Sequence, residues 1–307
     1  MRNKRLKFIK LTDDLFQPLI KGNSSPILIA GLPRTGTTWL ASILSTASGI
    51  KYLHEPFNPK YFPESASYTR KYIRCDSEDE RFIQYCHTVF SGQLNNNQEL
   101  TPYYQNLLYK KIPWWPGRIL VKDVHCGMSL DWIARHVNPS IAIVIRHPCA
   151  VAASRFRLFA RGQGQKLIQS LLSQPTLMRD YLSPFESLIE DAQTIWQQMA
   201  VFWGASYYLM LEQQRQHPEW IVVQHELLCQ EPEKQYRQLF DKLSLSWTAM
   251  TDHILDVSTT TNREKSDIPE RISSQEPEKW KKELEPEQIE QIKRFVQPFG
   301  IKYYSDF

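Results

Sequence analysis

The chain of 307 residues has no apolar run approaching the roughly 20 residues that a membrane-spanning helix needs. Its basic start, MRNKRLKFIK, is followed by LTDDLF and not by a continuous apolar stretch, so it does not read as a secretion signal. Cysteine is sparse: Cys75, Cys86, Cys126, Cys149 and Cys229 make an odd set with no CxxC spacing. That excludes a disulfide framework and points to reduced thiols in a cytoplasmic protein. HExxH and Asp/Asn-rich loops are also missing, so no metal is expected. No Gly/Ser-rich or Pro-rich linker divides the chain, and no internal repeat is visible. Neither sign of charge dominates: 37 Lys and Arg face 33 Asp and Glu, for a formal net charge of +4. Such a surface suits the capture of a small anion and gives no sign of a nucleic-acid or membrane partner.

What is present is ordinary globular material, 42% hydrophobic and able to bury a sizeable core. We expect a single domain over 1–307, with its core at about 25–300. Short strands rich in Ile, Val and Leu are predicted at Ile27–Ala30, Lys51–Leu53, Arg118–Lys122, Ile141–Arg146 and Trp220–Gln224. Helical patterns separate most of them. The alternation predicts an α/β fold with a parallel sheet covered by helices on both faces. Ligands of such sheets sit at the carboxyl ends of the strands. Arg34, Glu55, Lys122 and Arg146 all fall at or just past those ends and are expected to converge on one rim.

Two insertions break the alternation. Residues 58–116 carry Tyr61, Tyr68, Tyr103, Tyr104, Trp114 and Trp115, and residues 156–200 begin with a flexible Arg161-Gly-Gln-Gly164. At least one is expected to line a pocket, since loops on a rigid scaffold often carry specificity, with a solvated helical decoration holding its aromatics in a small core as the alternative. Near the C-terminus, Glu285-Pro-Glu-Gln288 predicts the opening of a last helix to about Val296, with Pro286 in its first turn. Glu290 and Arg294, four apart, are placed to pair across one exposed turn.

The densest signal lies in SPILIAGLPRTGTTWLASIL, Ser25 to Leu44. An apolar strand ends in Gly31, a tight loop follows, and a helix opens at Thr37. Backbone N–H groups and the positive end of the helix dipole make an anion cradle there. Gly31 and Gly36 keep the spacing of a nucleotide-triphosphate loop, but Thr37 stands where that loop has its lysine. The fold expected is therefore P-loop-like, and the ligand has a shorter 5′ anion than a triphosphate.

The stretch LPRTGTTWL resembles the 5′-phosphosulfate loop of sulfotransferases that use 3′-phosphoadenosine 5′-phosphosulfate (PAPS). IAIVIRHPCAVAASR, Ile141 to Arg155, resembles their 3′-phosphate site, with an arginine at a strand end and a serine on the next helix. Further similarities lie at HEPF (54–57), VKD (121–123), WIVVQHELL (220–228) and WKKEL (280–284). The resemblance implies sulfuryl transfer from PAPS to a hydroxyl or amine of a small-molecule or carbohydrate acceptor, leaving PAP. A kinase on a similar fold and a non-catalytic nucleotide-binding protein are the alternatives.

The resemblance also implies roles. Arg34, Thr35, Gly36, Thr37 and Thr38 would hold the 5′ end, and Trp39 would stack on adenine. Arg146 and Ser154 would grip the 3′-phosphate, with Arg271 and Trp280-Lys281-Lys282 closing over the cofactor. Lys122 and Arg34 would cover charge on the leaving group. The base is Glu55, then His125, then His54 in order of preference. Pro56 favours an extended backbone at Glu55, which would point His54 to the opposite side. His147 is assigned no role, and His225-Glu226-Leu227 reads as structural.

Overall fold

A computed structural model describes residues 25–94, 117–157, 163–260 and 277–304. Five strands form where the sequence predicts them: β1 (Ile27–Gly31), β2 (Ile50–His54), β3 (Arg118–Asp123), β4 (Ser140–Ile145) and β5 (Ile221–Gln224). All pairings are parallel, in the order β2-β3-β1-β4-β5. The main helices are α1 (Thr37–Leu44), α2 (Glu80–Phe90), α3 (Leu130–Val137), α4 (Pro148–Phe156), α5 (Gln163–Leu172), α6 (Ile195–Gln216), α7 (His225–Gln230), α8 (Pro232–Lys242), α9 (Ala249–Thr260) and α10 (Pro286–Val296).

Side chains alternate across β1. Leu28 and Ala30 join one core with Val121, Ile141 and Ile143, and Ile27 and Ile29 join a second with Leu120, Ala142 and Val144. Helices α4, α5, α6 and α10 contribute to the first core, and α1, α8 and α9 to the second. Burial on both faces is why these strands read as unbroken apolar runs. β1 lies between β3 and β4, where the winding of the sheet reverses. That switch point opens a crevice at the carboxyl end of β1.

Helix α6 braces this crevice from below. Its N-terminus is closed by a capping box between Thr194 and Gln197. Tyr207, fully buried, donates its hydroxyl to the Val144 carbonyl at 2.6 Å and accepts from the Leu32 N–H at 3.4 Å. Trp203 donates its indole N–H to the Arg146 carbonyl at 3.1 Å. One helix thus holds both the loop after β1 and the turn after β4.

The insertions differ from expectation in part. Tyr68 stacks on Phe82 at 4.1 Å, and Phe82 on Trp132 at 4.4 Å, so Tyr68 belongs to an aromatic core. Tyr61 instead meets His54 edge-on at 6.2 Å, beside the rim. Tyr103, Tyr104, Trp114 and Trp115 lie outside the described residues. Gly164 is a packing residue of α5, since a Cβ there would meet the Gln198 Oε1 at 2.1 Å. The last helix opens at Pro286 with a capping box between Glu285 and Gln288. Glu290 and Arg294 form no ion pair; both are exposed, where such a pair gains little. No helix among the described residues is long and apolar enough to cross a membrane.

Replacing Tyr207 with Phe removes a buried hydroxyl that serves two backbone groups. The expected loss is about 1–3 kcal/mol of unfolding free energy, read from urea denaturation. No change would mean that the contact to Val144 carries no stability.

Candidate functional site

The loop after β1 is shaped by two glycines. A Cβ at Gly31 would meet the Val144 carbonyl oxygen at 2.7 Å, so β1 and β4 approach too closely there for any side chain. Gly36 stands at φ 93°, in the left-handed region, and its Cβ would meet the His225 ring at 2.4 Å. Gly36 is also the N-cap of α1 and offers no side-chain acceptor. The first N–H groups of α1 therefore have no side-chain cap, which leaves donors for an anion at the helix start.

The threonines of the loop divide. Thr38 is exposed at the first turn of α1. Thr37 is buried, and so is Thr35, whose hydroxyl donates to the Leu32 carbonyl at 2.7 Å. Thr35 thus braces the loop from within. Trp39 packs edge-on against His225 and Tyr236 and donates its indole N–H to Ser258 at 3.0 Å. Its ring edge is committed to the contact between α1 and α9.

Arg34 is exposed at φ 75°, an uncommon backbone for a residue with a side chain. Its Nε donates to Ser154 Oγ at 2.9 Å, and its carbonyl accepts from Arg146 Nη1 at 3.2 Å. Arg34, Arg146 and Ser154 are therefore one cluster, drawn from the loop after β1, the turn after β4 and α4. Behind it, Glu226 accepts from the His147 N–H at 2.9 Å and from the Tyr304 hydroxyl at 2.5 Å. Trp280 stacks on His147 at 4.4 Å, which brings the WKKEL segment to this rim. Arg271 lies outside the described residues.

A second cluster stands at the ends of β2 and β3. Lys122, almost fully buried, donates to Glu55, which also accepts from the Asn58 amide at 2.7 Å. Burial would raise the Glu55 pKa, but the Lys122 ammonium and these hydrogen bonds hold it well below the usual carboxylate range. Asp123 is fully buried and accepts from the backbone N–H groups of Phe57, His125 and Cys126 at 2.8, 2.6 and 3.0 Å. It fastens the HEPF turn to β3. Burial pushes its carboxyl up to about 6 against the pull of those donors.

The backbone at Glu55 is not extended. It has φ 46°, with its N–H on the Lys122 carbonyl at 2.7 Å and its own carbonyl accepting from Asn58 N at 3.0 Å. The ladder between β2 and β3 runs one residue past the strand and then turns, which overrides the preference set by Pro56. The left-handed residue breaks the side-to-side alternation. His54 consequently lies on the same side, its Nε2 3.7 Å from Glu55 Oε1 and its Nδ1 2.7 Å from the Tyr52 hydroxyl. His125 sits with its Nδ1 3.8 Å from Asp123 Oδ1.

The sequence marks only one of the supports of this site. Tyr207 and Trp203 look like ordinary positions of a buried helix, and nothing local marks them. Glu226 had a signal, its HEL context after a late strand, and it proves to hold the turn that carries Arg146.

Three histidines are held neutral. Burial, aided by Lys122 at His54, Arg70 at His125 and Lys281 at His147, lowers each pKa to about 4. Between about pH 6.5 and 4 the unfolded chain takes up three protons on these groups that the folded chain refuses. Asp123 takes up one in the folded state only, which offsets part of this. Stability is therefore expected to fall as pH drops through that window. Urea midpoints at pH 7 and pH 5 check this, and equal midpoints would refute it.

A protein-family model described as the sulfotransferase family matches residues 26–249. No curated protein sequence matches. Among solved structures, the sulfotransferase domain from the curacin biosynthetic pathway is 16% identical, with a TM-score of 0.52 over 91% of this chain and 98% of that one. The sulfotransferase domain of the Synechococcus PCC 7002 olefin synthase is 16% identical, with a TM-score of 0.45 over 91% and 97%. Mouse sulfotransferase SULT7A1 complexed with PAP is 12% identical, with a TM-score of 0.45 over 94% and 89%. The first of these shares the fold, and the family match spans most of the chain. The chain belongs to the sulfotransferase family.

Proposed function

We propose that the protein is a cytoplasmic sulfotransferase that uses PAPS as donor, needs no metal, and acts on a hydroxyl or amine of a small-molecule or carbohydrate acceptor. The observation that carries this reading is the closure of two anion-reading motifs into one cluster. Arg146 and Ser154, from the second motif, both bond Arg34 of the first. The uncapped start of α1 and the two glycines that shape it suit a 5′ anion.

Bound PAPS would supply the sulfuryl group and, as PAP, the leaving group. The rest is work for this chain. The first-turn N–H groups of α1, with Thr38 and Arg34, hold the 5′ end. Arg146 and Ser154 hold the 3′-phosphate. Lys122 brings positive charge to the reacting centre, where negative charge develops. Glu55 takes the acceptor proton. In the resting site Glu55 is a poor base, because Lys122 neutralises it. Lys122 drawn toward an anion in the crevice releases Glu55, whose carboxylate then regains basicity. The same ion pair thus keeps the base idle until the donor site is filled.

PAP is expected to bind without added metal, and ATP with magnesium to compete poorly, since nothing at Thr37 reaches a γ-phosphate. Arg146→Ala should weaken PAP binding by roughly 2–5 kcal/mol in calorimetry. Unchanged affinity would overturn the 3′-phosphate assignment.

Glu55→Gln keeps the shape of the site and should preserve PAP binding while lowering turnover by about 10²–10⁴. His125→Ala should lower it less. The reverse ranking, at saturating PAPS, would make His125 the base.

A further inference from the structure

Beyond the two clusters lies a third set of groups that neither the donor site nor the proton transfer uses. Arg70 follows the HEPF turn and stands at φ 52°. Its N–H donates to the His125 carbonyl at 2.8 Å, and its carbonyl accepts from the Gln174 amide at 3.0 Å. The backbone is thus held from both sides in the left-handed region. Strain of that kind persists only where surrounding structure enforces it, and it gathers at functional positions. The side chain this conformation delivers is a guanidinium 5.7 Å from the ring of Phe202 on α6.

Arg155 reaches the same ring from α4, at 5.6 Å. Its pKa is lowered to about 9, by burial first and by Arg70 second. Two guanidiniums therefore converge on one buried aromatic ring. His125, next to both, feels both charges as well as those of Glu55 and Lys122.

No acid among the described residues answers Arg70. Among the described residues it makes no ion pair, and its buried Nε has no hydrogen-bond partner. The two carboxylates of this corner are already engaged, Glu55 by Lys122 and Asn58, and Asp123 by three backbone N–H groups. Burial lowers the Arg70 pKa, yet the side chain stays partly exposed and reachable. A charge left half-buried without a counterion is unfavourable, and an anion delivered by a ligand removes that penalty.

We propose that Arg70 is a specificity residue that selects acceptors carrying an anionic group, a carboxylate or a phosphate, near the hydroxyl or amine to be sulfated. Arg155 reinforces the field, and Phe202 forms the floor. The location rests on the reading of Glu55 and His125 as the reacting edge. The anion preference of Arg70 does not.

The test is calorimetric, on the full chain, alone and with saturating PAP. The probes are 4-hydroxyphenylacetate, 3-hydroxyoctanoate, the methyl ester of each, and 4-hydroxyphenyl phosphate. At least one anionic probe is expected to bind ten-fold or more tightly than the neutral probes. That preference should survive PAP, vanish in Arg70→Met and persist in part in Arg70→Lys, with PAP affinity unchanged in both variants. Carboxylate and phosphate arms separate the two sources of charge. Equal binding of acids and esters, including no binding of either, would overturn the proposal. So would a preference that Arg70→Met leaves intact, or one that PAP abolishes, which would place the anion at Arg34 and Arg146. Failure of PAP itself to bind would count against the donor reading alone.

Discussion

Everything at this site hangs on the close approach of β1 to β4. Gly31 pairs with Val144 at a distance that admits no side chain, because a Cβ would sit 2.7 Å from the Val144 carbonyl oxygen. That contact sets where the chain leaves the sheet and hence where α1 begins. It also decides how far the loop lies from the turn after β4. Arg34 can then meet Arg146 and Ser154, although 112 residues separate Arg34 from Arg146. Tyr207 locks the geometry by serving Val144 and Leu32 from one hydroxyl.

The distribution of charge follows from burial. Lys122 is too deeply placed to stand alone, and Glu55 is the partner that the turn after β2 supplies. Asp123 is deeper still and is satisfied by three backbone donors rather than by a cation. The site therefore holds one neutralised pair and one structural carboxylate on its β2–β3 side. Further cations stand at Arg34 and Arg146, past the ends of β1 and β4, and at Arg70 and Arg155 beside Phe202.

Three of the five non-glycine residues at positive φ among the described residues are Arg34, Glu55 and Arg70. Each carries a charged side chain; the Glu55 and Arg70 N–H groups donate to the Lys122 and His125 carbonyls, and the Arg34 carbonyl accepts from the Arg146 side chain. The strained backbone aims these side chains where a regular strand or turn would not.

Much of the fold was legible because its signals are local. Apolar strands buried on both faces, a glycine pair at a strand end, and Pro286 opening a helix all write their physics into adjacent residues. The strand–turn–helix units that carry Arg34 and Arg146 were legible for the same reason, since a strand end, a turn and a helix start are contiguous in sequence. The supports were not. Tyr207 and Trp203 act across the fold from positions that look like any buried helix. The conformation at Glu55 was misjudged because Pro56 is a local preference and the β2–β3 ladder a tertiary one. By itself, then, the sequence determined the sheet, the glycine-shaped loop between β1 and α1, and the types of residue at the strand ends. Only the tertiary structure decided that Glu55 turns onto Lys122, that His54 shares its side, and that Arg70 faces Phe202. Those outcomes depend on backbone bonds and buried charges contributed by residues far apart in the chain.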